Sequence, residues 1–172
     1  APGYPKLKAS WSHEAESGLG TLKVEQTQVD SDKGVGVFQF PLTVAIEETD
    51  GEWSRHTLRV DGAEAMLVLP LPAAPLQVVL DPDCGLAAGL EFDPGVSMLT
   101  RGLTACPHVR GRVHAATTLA KRGRAGGISA IESAWSGEQE WGVRRWWARA
   151  LGTAATTHAA GALARLLATE SD

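Results

Sequence analysis

Several features typical of secreted, membrane-embedded or catalytic proteins are scarce in this sequence of 172 residues. Two cysteines, Cys84 and Cys106, are too few for a disulfide framework and favour a reducing compartment, so a cytoplasmic location is predicted. No apolar run approaches the roughly 18 residues of a membrane span, and the first residues lack the apolar core of a signal peptide, so no membrane partner is expected. The chain does not begin with Met, and we expect it to be an excised segment of a longer protein.

The sequence also lacks the spacing of a helical zinc site, which needs two His four positions apart with Glu beside the first. No pair has this spacing among the five histidines, which are His13, His56, His108, His114 and His158. The stretch from His13 begins like the motif, but Ser17 stands where the second His is needed, so we interpret it as a solvated turn. His108 and His114 are six residues apart, which does not suit one helical face. No metal-binding residue is therefore predicted.

Nucleophilic and calcium-binding patterns are equally weak. There is no Gly-x-Ser-x-Gly elbow, Cys84 lies in a predicted turn, and Cys106 lies at a predicted helix end before Pro107. Asp81 and Asp83 flank a proline, but the remainder of a calcium-loop spacing is missing, so a turn that ends a strand is the preferred interpretation. The sequence thus assigns no catalytic, cofactor-binding or metal-binding residue.

Charge divides the chain unevenly. Residues 1–94 contain 6 basic and 15 acidic residues, a net charge of −9, whereas residues 95–172 contain 10 basic and 5 acidic residues, a net charge of +5. The difference indicates two structural units but is too small to predict a nucleic-acid partner. A basic turn, Lys121 to Arg124, could contact phosphate or an acidic partner; cations near a helix C-terminus in a solvated loop are the preferred reading.

The first half has the period of β-strands. Phe38, Phe40, Leu42, Val44 and Ile46 are apolar at every second position, and we expect the first three to point into a core. Five further strands are predicted near residues 6–11, 21–25, 56–60, 65–69 and 76–80, separated by turns rich in Gly, Asp, Ser and Pro. This spacing predicts a small antiparallel β-sandwich of the immunoglobulin or fibronectin type over residues 1–94.

Within that best strand, Pro41 has no backbone N–H to donate, so we expect an edge or a bulge there.

The second half changes to a helical period after Asp93-Pro94-Gly95, which is the predicted joint. Helices are predicted at residues 96–106, 109–122, 125–136, 141–153 and 157–168. A shift of 32 residues superimposes Arg112 on Arg144 and Leu119 on Leu151, among other matches. Repeated helix pairs are typical of an α-solenoid, which we predict for residues 95–172 in truncated form, with Leu163, Leu166 or Leu167 uncovered.

Three tryptophans crowd one predicted helix: Trp141, Trp146 and Trp147. Their spacing lets the rings share a face only in part, so we expect one to be core and the other two to be partly exposed. An interface and ordinary burial between repeats remain equal alternatives for these two.

Four motifs follow one another in the first half: Gly3-Tyr4-Pro5-x-Leu7-x-Ala9-x-Trp11, Val24-Glu25-Gln26-Thr27-Gln28, Phe38-Gln39-Phe40-Pro41-Leu42 and Val79-Leu80-Asp81-Pro82. Together they resemble the β-module that follows the catalytic domain in aminopeptidase N-type zinc metallopeptidases. Their order and spacing agree over about residues 3–83, although Ala9 stands where Val is usual. The helical half resembles the HEAT-like repeat extension of some bacterial members, with Val-Arg near the start of a repeat at Val109-Arg110 and Val143-Arg144.

The resemblance implies a parent protein that removes N-terminal residues from peptides with one zinc ion. In that family the zinc ligands lie upstream, so no site residue is carried over to this chain, and no cofactor is expected in it. The implied partners are an upstream catalytic domain of the same polypeptide and, for the parent, a peptide substrate. Some proteins of this architecture have lost the zinc motif, so an interaction scaffold without peptidase activity remains the alternative.

Overall fold

The chain folds into two compact units, one ending at Pro94 and the other beginning at Gly95. The computed structural model describes residues 3–30, 32 and 34–169. The first unit contains seven strands: β1 (Lys6–Glu14), β2 (Leu19–Gln26), β3 (Phe40–Glu47), β4 (Trp53–Val60), β5 (Glu64–Pro70), β6 (Gln77–Leu80) and β7 (Gly89–Phe92). The second contains five helices: α1 (Val96–Thr104), α2 (Val109–Arg122), α3 (Ala125–Ala134), α4 (Trp141–Thr153) and α5 (Thr157–Thr169). The predicted order of sheets followed by helices is confirmed.

The strands form two sheets, with the orders β5-β2-β1-β7 and β4-β3-β6. All neighbouring strands are antiparallel except β1 and β7, which run parallel from the Lys6–Gly89 pair to the Ala9–Phe92 pair. The sequence analysis missed β7, because four residues after a Gly- and Ala-containing stretch give too short an alternation to stand out.

Alternate residues of the strands form the core of the first unit. In β1 and β2 the buried apolar residues are Leu7, Ala9, Leu22 and Val24, and their neighbours in sequence are exposed or partly exposed. In the second sheet, by contrast, every residue of β6 is buried, as are residues 44–47 of β3. The period of two read from the sequence is therefore the period of burial in β1 and β2, whereas β6 is buried without alternation.

The expectation for Phe38 and Phe40 was only partly right. Leu42 is buried, but Phe38 and Phe40 are half-buried, and β3 begins only at Phe40. The reason lies in the backbone of Phe38: its N–H donates to Gln26 Oε1 (3.0 Å) and its C=O accepts from Gln26 Nε2 (2.8 Å). A side chain, and not a neighbouring strand, binds this backbone.

Pro41 lies in the central strand of its sheet but at a position that acts as an edge. Strand β6 pairs with β3 only over residues 44–47, so Pro41 is paired with Arg59 of β4 alone. Thr43 C=O accepts the Asp81 N–H (2.8 Å) on the β6 side, and Pro41, two residues earlier, turns its nitrogen the same way, where no residue of β6 pairs with it.

Gln26 and Gln28 explain the Gln-x-Gln pair noted in the sequence. Gln26 is buried, and besides Phe38 its amide donates to Gly62 C=O (2.9 Å). Gln28 Nε2 donates to Gln26 Oε1 (2.7 Å), and Gln28 Oε1 accepts the N–H of Lys6 at the start of β1 (2.8 Å). The two side chains thus join three separate stretches of backbone.

The helices of the second unit pack through small and large apolar residues around α2. Helix α2 contacts α1, α3 and α4, and α5 contacts α3 and α4. Trp147 is fully buried; its Nε1 donates to Arg112 C=O (3.0 Å), and its ring lies 6.3 Å from that of Trp135 between centroids. The core of this unit is therefore built around a tryptophan whose polar atom is satisfied.

The predicted 32-residue shift matches the helices residue for residue at their starts. Helix α2 begins at Val109 and α4 at Trp141, while α3 begins at Ala125 and α5 at Thr157. The turn between the helices of each pair contains a left-handed residue at the equivalent place, Gly123 (φ 65°) and Ala155 (φ 50°). Both pairs thus turn in the same way, although only glycine adopts this conformation without strain.

The apolar end of the last helix is only partly uncovered. Leu167 is exposed and Leu163 is half-buried, but Leu166 is buried. Leu166 packs into the core of the helical unit, as does the equivalent Ala134.

Candidate functional site

Three of the five histidines form hydrogen bonds with other protein groups. His13 Nε2 hydrogen-bonds with Leu71 C=O (2.8 Å), His56 Nε2 with Ser54 Oγ (3.2 Å) and His114 Nε2 with Thr118 Oγ1 (3.5 Å). His108 precedes the first residue of α2, and His158 is exposed near the start of α5. Over the residues that the structure describes, no three His, Cys, Asp or Glu side chains come together in a way that could hold a metal ion.

The interpretation of His13 and Glu14 as part of a turn was wrong. Both belong to β1, which stays paired with β2 up to the Glu14–Leu19 pair, and the turn begins only at the next residue. Glu14 accepts a hydrogen bond from Ser17 Oγ (2.5 Å), so the carboxylate closes this turn.

The segment around Cys84 is a structural turn. Asp81 is buried, and its Oδ1 and Oδ2 accept the N–H groups of Gly85 (2.8 Å) and Leu86 (3.3 Å). Asp83 forms an ion pair with Arg55 (2.6 Å). Both cysteines are free, Cys84 exposed and Cys106 buried with its Sγ 3.6 Å from His108 C=O. The carboxylates are thus engaged by neighbouring protein groups, as expected of a turn that ends a strand.

The basic turn lies where the sequence placed it. Lys121 and Arg122 form the last turn of α2, Gly123 caps it in a left-handed conformation, and Arg124 precedes α3. The three basic side chains are exposed. Lys121 and Arg122 lie at a helix C-terminus, where the helix dipole favours cations, whereas Arg124 lies at the N-terminus of α3.

The tryptophans of α4 divide as predicted, one in the core and two outside it. Trp147 is 0% exposed, whereas Trp141 is 74% and Trp146 50% exposed. Trp141 thus has most of its indole surface exposed to solvent. Large aromatic side chains left in water are typical of binding surfaces.

Two arginines that the sequence analysis did not single out share this exposed side of α4. Arg145 follows Trp141 by one helical turn and Arg149 follows by two, so all three point the same way. The Arg149 guanidinium lies 5.2 Å from the centroid of the Trp146 ring, a cation–π contact. The i, i+4, i+8 spacing from Trp141 was the available signal. We call Trp141, Arg145, Trp146 and Arg149 the α4 face.

A partly buried ion pair joins successive helix pairs. Arg112 Nε donates to Glu138 Oε2 (2.7 Å), and the side chains are 14% and 4% exposed. Arg112 also donates to Cys106 C=O (3.1 Å), and the equivalent Arg144 donates to Glu138 C=O (2.7 Å), each six residues back along the chain. The match of Arg112 with Arg144 in the sequence therefore reflects a contact that occurs twice, a hydrogen bond from the arginine side chain to the backbone carbonyl six residues earlier.

Each helix in the described part of the chain is too short or too polar to cross a bilayer.

Comparison with known proteins gives a likeness of fold. No family model and no curated protein matches the sequence. Among 49 matching chains of solved structures is Legionella pneumophila aminopeptidase A, in a crystal structure with aspartic acid, at a TM-score of 0.65 and 12% identity. The alignment covers 96% of this chain but 21% of that one. The chain therefore has the fold of about a fifth of an aminopeptidase.

Proposed function

We propose that this chain is a non-catalytic portion of a zinc-dependent aminopeptidase, and that it packs on an upstream catalytic domain and shapes its cleft. The observation that carries this proposal is the fold likeness to an aminopeptidase, which runs through both units and covers 96% of the chain. The four strand motifs support the same assignment independently, because they were recognised in the sequence by their order and spacing.

The chemistry of the described side chains is in keeping with an accessory role. A hydrolytic zinc site needs roughly three protein ligands and an open fourth position. His13, His56 and His114 instead hydrogen-bond with backbone carbonyl or hydroxyl groups, and the buried carboxylate of Glu138 is engaged by Arg112. We therefore place the zinc ion, and the peptide bond that it helps to cleave, in the upstream part of the parent.

The test uses the longer parent protein, in which this chain is extended at its N-terminus. The complete parent is compared with a version from which these 172 residues have been deleted. We expect the complete protein to bind zinc and to cleave peptides, and the shortened one to show altered kcat/KM for long peptides with a smaller change for an aminoacyl-arylamide. If the complete and the shortened protein have the same kcat/KM for each of the two substrates, a role of this chain at the cleft is contradicted. A complete protein without zinc or activity would favour the scaffold alternative.

A further inference from the structure

We propose that the α4 face binds an acidic segment of a partner polypeptide that also carries apolar side chains. The face joins two exposed indoles to two exposed guanidinium groups on one side of a single helix. Tryptophan and arginine are the residue types that dominate binding energy at protein interfaces. This inference is independent of the proposed function and holds for an enzyme or a scaffold.

The fold itself does not require these residues. The positions of α2 that correspond to the α4 face at the 32-residue shift hold Val109, Val113, His114 and Thr117, of which Val113 packs against the helical core. The inward positions of the two helices are used alike, with Leu119 and Leu151 both buried. Packing therefore explains the inward residues of α4 but leaves the tryptophans and arginines of its outer side unexplained.

Charge identifies the partner as acidic. Helix α4 contains no Asp or Glu, and within the described part of the chain neither Arg145 nor Arg149 has a carboxylate partner. By contrast, Glu132 and Glu138 of the same unit are paired with Arg165 and Arg112. An incoming carboxylate would meet uncompensated guanidinium groups, which bind carboxylates through two parallel hydrogen bonds.

The geometry at Trp146 favours a polypeptide over a nucleic acid. Arg149 lies over one face of the Trp146 ring, so that face is not available for stacking by an unpaired base. A guanidinium in a cation–π contact still has N–H groups that can donate to a planar carboxylate. Trp141, with 74% of its surface exposed, then supplies apolar area for a side chain next to the acidic group.

The experiment is a calorimetric titration of this 172-residue chain with three short synthetic peptides. The first alternates Asp and Glu with Leu and Phe, the second replaces the acids by Asn and Gln, and the third replaces them by Lys. We expect the acidic peptide to bind about tenfold or more tightly than the neutral one, with an affinity that falls as salt is added. Equal binding of the three peptides would overturn the proposal.

Variants assign the binding to the face. The double variant Arg145→Glu/Arg149→Glu should weaken binding of the acidic peptide about tenfold or more, as should Trp141→Ala. Its matched control is Arg122→Glu/Arg124→Glu, which makes the same charge change in the exposed turn after α2 and should leave the affinity nearly unchanged. Equal losses in both double variants would refute the assignment, because they would reflect net charge alone.

Two alternative occupants have their own readouts. Tighter binding of a single-stranded oligothymidylate than of the acidic peptide would replace the proposal with a nucleic-acid surface. Concentration-dependent self-association that Trp146→Ala abolishes would replace it with a contact between copies. Circular dichroism of every variant confirms that a loss of binding is not a loss of fold.

Discussion

The two units of this chain use their buried polar side chains in different ways. In the β-unit, the buried Gln26 binds Phe38 and Gly62, which lie 12 and 36 residues away. In the helical unit, the ion pair from Arg112 to Glu138 spans 26 residues, close to one repeat. The polar contacts of Gln26 thus fix irregular loops of the sandwich. The ion pair of Arg112 instead joins one helix pair to the next.

The cores of the units differ as well. Aliphatic side chains at alternate positions fill the sandwich, whereas the helical core combines small residues with two tryptophans, Trp135 and Trp147. A large ring among alanines concentrates the packing of several helices at one place. The following predictions test where each unit is most sensitive, from the largest expected effect to the smallest.

Removal of the buried indole should have the largest effect. Trp147→Ala should cost about 3–5 kcal/mol of unfolding free energy, because it leaves a cavity and removes the hydrogen bond from the indole to the Arg112 carbonyl. Trp146→Ala, on the same helix but half-exposed, should cost less than about 0.5 kcal/mol. Urea unfolding of both variants checks this, and equal losses would show that the inner and outer sides of α4 are misassigned.

Breaking the joint between repeats should be the next largest effect. Arg112→Ala should cost about 3 kcal/mol, since it leaves the buried carboxylate of Glu138 without its cation. The Glu140 N–H, which also donates to Glu138 (2.9 Å), keeps the loss from being larger. Arg149→Ala removes an arginine from the exposed side of α4 and serves as the control in the same urea titration. If Arg112→Ala loses no more unfolding free energy than Arg149→Ala, the Arg112–Glu138 ion pair does not stabilise the contact between the helix pairs.

In the β-unit, Gln26→Ala should cost about 2 kcal/mol, because partly buried backbone groups of Phe38 and Gly62 lose their hydrogen-bond partners. Gln39→Ala removes an exposed glutamine and should have almost no effect. If the two variants have the same urea midpoint, Gln26 does not fix these loops.

The smallest effect concerns the exposed ion pair between α3 and α5. Hydrogen bonding by Arg165 lowers the pKa of Glu132 from its ordinary value of 4.5. The pair therefore stabilises the fold above pH 4.5, and this contribution is lost as the pH falls through the lower pKa of the folded state. Glu132→Gln should be slightly less stable than the parent chain at neutral pH, and the difference should shrink in acid. A difference that grows below pH 4.5 has the wrong sign for this account.

Most of the fold was predictable because apolar residues recur clearly at every second position in the first half and at helical spacing in the second half. The helix starts at residues 96, 109, 125, 141 and 157 match the structure, since Pro and Gly interrupt the chain just before or between them. The departures come from interactions that periodicity does not contain. Phe38 continues the alternation of β3 but is bound by a glutamine side chain, and β7 pairs in parallel with a strand from the opposite end of its unit.

The candidate surface was only half predictable. The sequence indicated that some tryptophans of α4 are exposed, but not which ones, because rings five and six residues apart share a face only in part. Choosing Trp147 for the core requires its contacts with Trp135 and the Arg112 carbonyl, which come from other helices. The role of Arg149 likewise depends on the orientation of the Trp146 ring.

The proposed function, a non-catalytic portion of an aminopeptidase, can be tested directly. The most direct measurement determines the zinc content and the release of an aminoacyl-arylamide reporter, for this chain alone and for the chain extended at its N-terminus. The account predicts neither bound zinc nor cleavage for this chain, and both for the extended protein. Stoichiometric zinc together with reporter cleavage by this chain alone would contradict it.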